Sequence, residues 1–230
     1  MYGKTLISVK PLYADKLSES AKRDITNQIH QICTLGSEPV FIDPEFIDIE
    51  IKLYLDIDLS KTNISKQNIE SIAIETVNVY NDTQLNLFNN DLREVDLTND
   101  IKQSNSGIVS VFTEKTFSKV ITVNTASSSE YNVNFGNPII ENSIKSSIAI
   151  NGLLWSYYDV NGIIYAKNKN TTLQMGTVDY KSGIIKFKLK WINTQSFINM
   201  TWYATPEYPD IHSIQNNILR ISKTRINNDL

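Results

Sequence analysis

From Ile47 to Ile57 the chain alternates without a break: Ile47, Ile49, Ile51, Leu53, Leu55 and Ile57 are separated by Asp48, Glu50, Lys52, Tyr54 and Asp56, with Asp58 continuing the polar series. Successive side chains of a strand point to opposite faces, so this pattern requires a long strand with one face on a core and one toward water. Pro44 just upstream breaks the pairing potential of the chain. Residues Val40–Asp43 and the alternating run therefore form either two strands or one kinked strand.

Around this strand the sequence predicts helices with one apolar stripe each. Thr5–Val9 is a short β-prone run stopped by Pro11, and Ser18 then caps a helix carrying Ala21, Ile25, Ile29 and Ile32 on one side, ending at Gly36. A second helix starts at Ser65, with Ile64 and Ile69 in the flanking positions of a hydrophobic staple. Ile69, Ile72, Ala73, Thr76 and Tyr80 follow on one face, up to a stop near Asn81-Asp82. Asp91–Lys102 reads as a further short helix, and Ile108–Phe112 opens a strand that can run to Val123.

The order β, α, β or ββ, α, β predicts an α+β unit over residues 1–123, a small sheet with two or three helices on one face. The Ser- and Thr-rich stretch 124–130 lacks periodicity and is the expected linker. Residues 131–230 are expected to form a mostly antiparallel β unit. Val160-Asn161-Gly162-Ile163 is a two-residue hairpin signal joining Leu154–Val160 to Ile163–Lys167. Tyr180-Lys181-Ser182-Gly183-Ile184 is a second, with Ile184–Trp191 as the return strand. The spacing of Ile211, Ile214, Ile218 and Ile221 leaves the last segment open between helix and strand.

Several functions are disfavoured by composition. The net charge is −3 with 22 Lys and Arg scattered through 230 residues, so no basic block offers repeated phosphate contacts and no nucleic-acid partner is expected. No apolar run nears the roughly 18 to 20 residues that span a bilayer, and Met1–Lys10 lacks the pattern of a secretory signal, so no membrane partner is expected. Cys33 is the single cysteine, which excludes an internal disulfide and a multi-cysteine zinc site. Asn63, Asn81, Asn170 and Asn199 fit the glycosylation pattern, but chance supplies such matches in a chain this rich in Asn, Ser and Thr.

No chemistry-bearing motif stands out. His30 lacks a ligand partner on its helix face, and His212 with the nearby Asp210 makes a pair rather than a ligand set, so neither a metal nor another cofactor is expected. Asp48, Glu50, Asp56 and Asp58 share a strand face at a spacing that a glycosidase could use. They are more simply the solvated half of an amphipathic alternation. The aromatic residues Trp155, Tyr157, Tyr158, Trp191, Trp202 and Tyr203 are read first as core and interface, and second as a sugar-stacking face.

The ordered set Glu38-Pro39-Val40-Phe41-Ile42-Asp43-Pro44-Glu45, the alternating strand, the Ser-initiated helix, Tyr80-Asn81, Leu87-Phe88, Asp91-Leu92-Arg93 and Tyr131–Ile139 resembles the baseplate wedge and baseplate-J-like proteins of contractile phage tails. The likeness covers about residues 5–225 and suits the C-terminal part of the T-even-type wedge protein, or a shortened member. It implies a non-enzymatic virion protein of the tail baseplate, assembled in the host cytoplasm. Such a subunit forms homodimers within an inner ring around the hub and docks other wedge and hub proteins. It also implies an extended Asn217–Thr224. Expected interface residues are Tyr80, Leu87, Phe88, Trp155, Tyr157, Tyr158, Trp202 and Tyr203. The alternative is a carbohydrate- or receptor-binding β module of a tail.

Overall fold

A computed structural model describes residues 4–32, 38–125, 128–150, 152–189, 197–214 and 216–227. Among these the fold is α+β, with three α-helices and a large, curled, mostly antiparallel ten-stranded sheet.

The N-terminal segment stands apart from that sheet. Strand β1 (Lys4–Ser8), helix α1 (Glu19–Ile32) and strand β2 (Glu38–Ile42) form a β-α-β unit, with β1 and β2 parallel in a two-stranded sheet of their own. Parallel neighbours need a crossover, and α1 supplies it. Ser18 caps α1 as expected, its Oγ accepting from the Ala21 N–H at 3.2 Å. The predicted stop at Gly36 lies outside the described residues. No residue of α1 is buried. Lys22 ties the helix to the corner before the long strand, reaching Asp43 and Glu19 at 2.9 Å each.

The alternating run is strand β3 (Glu45–Ile57), separated from β2 by Asp43 and the buried Pro44, so two strands form rather than one. Ile47, Ile49, Ile51 and Leu53 are buried on one face. Helix α2 (Lys66–Tyr80) begins at Ser65, whose Oγ accepts from the Asn68 N–H at 3.3 Å, and buries Ile69, Ala73, Val77 and Tyr80. It runs on through a π turn at Asn81–Leu85, one turn past the expected stop. Helix α3 (Glu94–Ser104) buries Leu97 and Ile101, and packs on α2 and on strand β4 (Ile108–Asn124).

The remaining strands are β5 (Glu130–Asn134), β6 (Lys145–Ile150), β7 (Leu153–Val160), β8 (Ile163–Lys167), β9 (Thr172–Asp179), β10 (Ile184–Lys188), β11 (Phe197–Ala204) and β12 (Asn217–Ile226). The β7–β8 turn has Asn161 at φ 49° and Gly162 at φ 80°, the two positive φ values of a type I′ hairpin. The return strand β10 ends at Lys188, and Trp191 lies outside the described residues.

Two expectations need correction. The four strands that begin within residues 1–123 do not share one small sheet, because β1 and β2 pair only with each other while β3 and β4 join the large sheet. Residues 1–123 and 131–230, expected as two units joined by the 124–130 linker, both contribute strands to the large sheet. The large sheet runs β12-β3-β4-β11-β6-β7-β8-β9-β10-β5, so β11 lies antiparallel against β4 from Phe117 to Asn124, and β12 lies parallel to β3. The strand choice for Asn217–Thr224 agrees with β12. The physical reason is that the backbone donors and acceptors on the second edge of β4 can pair with any strand that packs there, and the sequence-distant β11 takes Phe117 to Asn124.

The sheet curls until β5 returns to β4. Tyr131 Oη accepts from the Asn124 N–H at 2.8 Å, Lys119 Nζ donates to the Asn134 carbonyl at 3.0 Å, and the rings of Phe117 and Phe135 stack at 5.7 Å. Inside the curl Trp202 meets Phe187 at 4.7 Å and Tyr157 at 5.3 Å, and Tyr131 stacks on Phe187 at 5.5 Å.

Candidate functional site

Four of the eight residues expected at an interface are interior. Trp155, Tyr157 and Trp202 lie in the aromatic core, because their positions in β7 and β11 point inward. Tyr80 is buried at the end of α2, where burial pushes its phenol above the ordinary value and its Oη accepts from the Arg93 N–H at 3.4 Å. These four cannot present a surface to a partner without unfolding the core around them.

The other four remain accessible, in two places. Leu87 is exposed, and the half-buried Phe88 makes a backbone bridge to Ile218 and lines a shallow 430 Å³ cleft with Leu6, Ser8 and Ile42. Tyr158 and Tyr203 stand on the outer face of the sheet, each in register with Lys145 on β6 between them. Tyr165 on β8 extends the row, stacked on Tyr158 at 5.8 Å. The structure therefore brings Tyr158 and Tyr203 into one row and keeps Leu87 and Phe88 apart from it.

Two members of the carboxylate row that begins on β3, Asp48 and Asp58, have partners of their own. Asp48 accepts from Arg220 Nε at 2.7 Å, and the Arg220 guanidinium also sits 4.5 Å over the Phe46 ring and reaches Asp15 at 3.2 Å. Asp58 lies beyond the strand and caps a 3-10 turn at Leu59–Lys61, where hydrogen bonds from Ser60 hold its carboxyl below the ordinary range. One acid is committed to a cation and another to a turn.

A polar constellation that sequence reasoning missed lies at the start of α3. Glu94 contacts the buried Lys115 ammonium and accepts from Thr113 Oγ1 at 2.7 and 2.9 Å. The Glu94 N–H donates to Asp210 Oδ1 at 2.8 Å, which pins the loop after β11 to the helix. Burial pulls Lys115 down to about 8 from 10.5, with Asp210 opposing. The signal was present: Lys115 sits between Thr113 and Phe117 on the inward register of β4. These residues border a cleft of 450 Å³ along β4, closed on its far side by residues 205–209.

His212 also has a partner the sequence did not suggest. Its Nδ1 lies 2.9 Å from Asp91 Oδ2, and Asp91 Oδ1 accepts from the Ser213 N–H at 2.8 Å. Desolvation would raise the Asp91 carboxyl, but the hydrogen bonds from His212 and Ser213 outweigh it and hold it below the ordinary value. Both are structural ties between the segment before α3 and the one before β12. Among the described residues no group of three or more His, Cys, Asp or Glu side chains gathers as metal ligands would.

No family model matches this sequence, and no curated protein matches it.

Proposed function

We propose that this chain is a non-enzymatic structural subunit of a contractile phage tail baseplate, one that self-associates and docks neighbouring wedge and hub proteins around the tail hub. The reading rests on the resemblance carried by residues 38–51, 80–93 and 131–139, together with one structural observation. The β-α-β segment at the N-terminus leaves four large apolar side chains uncovered, Leu6 at 64% exposure, Leu12 at 79%, Tyr13 at 95% and Ile32 at 80%, while Ala21, Ile25 and Ile29 of its helix are half-buried. A 14-residue helix with no fully buried residue is only partly stabilised by its own chain, since helix stability in proteins comes mostly from packing of the apolar face. A second copy or a neighbouring subunit supplies that packing.

The geometry lends less to the carbohydrate-binding alternative. A sugar-stacking face needs rings open to solvent; Trp155, Tyr157 and Trp202 are interior, and the accessible Tyr158 and Tyr203 are each half-buried. The commitment of Asp48 to Arg220 and of Glu94 to Lys115 favours a structural over a catalytic use of these groups.

Sedimentation analysis across a concentration series tests the proposal. A dimer is expected, reverting to monomer in the variant carrying Leu6→Asp and Ile32→Asp, whose exposed positions leave the monomer core untouched. A chain that stays monomeric at high concentration refutes self-association through this segment.

A further inference from the structure

Strand β4 (Ile108–Asn124) is covered along its first part by one neighbour and along its last part by the other. On the β3 side the register runs from Ile108 to Ser118, whereas on the other side β11 covers only Phe117 to Asn124. After Ala204 the chain leaves β4. The Ile140 N–H donates to the Thr205 carbonyl at 2.9 Å and the Glu207 N–H to the Pro138 carbonyl at 3.0 Å, so residues 205–207 pair with 138–140 instead. Pro206 and Pro209 have no N–H to offer a strand, which reinforces the divergence. Among the described residues, no strand or loop backbone hydrogen bond reaches Phe112–Thr116 from that side.

The gap so formed is the 450 Å³ cleft. Phe112, Thr113, Glu114, Lys115 and Thr116 all line it. Consecutive strand residues point to opposite faces, so a cleft touching all five runs along the strand's edge and not over one face. Its opposite wall is residues 205–209. A free edge flanked by a wall at this position has the shape of a missing strand.

The chemistry of the lining selects the occupant. It carries three carboxylates, Glu94, Glu114 and Glu207; the buried Lys115 contacts Glu94, Lys52 of β3 lies 3.9 Å from Glu114, and Glu207 is left for an incoming cation together with the solvent-open side of Glu114. Two aromatic rings open to solvent flank it, Phe112 at 60% and Tyr208 at 57% exposure. Carboxylates and ring faces both attract Lys and Arg side chains.

We propose that the β4 edge at Phe112–Thr116 receives an extended, basic segment of another polypeptide, which adds to the large sheet as a strand in the fork between β4 and residues 205–209. Backbone hydrogen bonds to the edge hold it, and alternate Lys or Arg side chains meet Glu114, Glu207 and the two rings. This site is separate from the N-terminal β-α-β surface, so it stands or falls independently of self-association.

The probe is a fluorescent eight-residue peptide alternating Lys and Val, compared with its Glu-Val counterpart and with a Lys-Val peptide N-methylated on alternate amides. NMR with the full chain is expected to show shifts of the Phe112–Thr116 amides with the Lys-Val peptide alone. Anisotropy titration is expected to show affinity falling about tenfold when Glu114→Lys and Glu207→Lys are combined, both being exposed positions, and falling further on N-methylation. If the Lys-Val peptide binds no better than the Glu-Val one, or shifts amides elsewhere, the proposal is overturned, and the charged side chains simply guard a bare edge. Binding unchanged by N-methylation overturns it too, because attraction without strand pairing would then account for the affinity.

Discussion

The Tyr180 hydroxyl donates to Asp159 Oδ2 at 2.7 Å while accepting from the Gly162 N–H at 3.0 Å, so one phenol joins the carboxylate that ends β7 to the turn that follows it. Asp159 is 2% exposed and also accepts from the Asn142 N–H at 2.6 Å and the Ile144 N–H at 2.9 Å. The buried carboxylate thus organises three segments: the 139–144 loop, the β7–β8 turn and the end of β9.

Asp159→Ala removes the acceptor of two backbone N–H groups and a phenol, leaving the Ile144 N–H unpaired in the interior and the other two donors partly buried without it. The expected loss is about 3 kcal/mol of folding stability, against about 1 kcal/mol for Tyr180→Phe, which deletes one hydrogen bond. Urea denaturation of the two variants measures both. Equal midpoints for Asp159→Ala and wild type contradict the central role given to the carboxylate.

Burial, reinforced by Asp159 and opposed by the Gly162 N–H, pushes the Tyr180 phenol up from 10.0 to about 12. Between those values the folded protein retains a proton that the unfolded chain has released. The stabilising contribution is complete below about pH 10 and is lost as pH rises toward 12. Plotted against pH, the wild-type urea midpoint should fall more steeply over that window than that of Tyr180→Phe. Parallel curves count against the assignment.

Lys115 and Glu94 make a buried pair whose halves depend on each other. Glu94→Ala strands an ammonium whose side chain is 4% exposed and is expected to cost about 3 to 5 kcal/mol. Adding Lys115→Met to that variant replaces the stranded charge with an apolar chain and should restore most of the loss. A double variant no more stable than Glu94→Ala alone removes the basis for treating the two as a unit.

Gly183 has φ 66°, and a Cβ there meets the Asn137 carbonyl oxygen at 2.2 Å. Its own carbonyl accepts from the Phe135 N–H at 3.0 Å, so the turn cannot move away without breaking the tie between the β9–β10 hairpin and β5. Gly183→Ala is expected to cost about 3 kcal/mol through left-handed strain and the clash together. Thermal unfolding reads it, and a melting temperature within a degree of wild type rules the constraint out.

Local order is largely legible in the residues themselves. The alternation of Ile47–Leu53, the Ser18 and Ser65 caps and the Asn161-Gly162 turn each act within a few residues, and each forms where the sequence predicts it. That Trp155 and Tyr157 share a face is legible too, but which face is core is not. The polar ties are hidden for another reason: His212 and Asp91 are 121 positions apart, and Arg220 and Asp48 are 172 apart, so no spacing rule connects them.

Periodicity, capping and turn chemistry are short-range, and they let the sequence by itself determine which segments become helices or strands and which side of β3 is apolar. Only the tertiary structure decided who lies beside whom. It set β11 against β4, β12 parallel to β3, and β1 with β2 in a sheet of their own. A strand's backbone donors and acceptors carry no record of their partner, so pairing order is settled by the joint packing of all side-chain faces. The same long-range choice that takes residues 205–207 to 138–140 leaves the β4 edge bare.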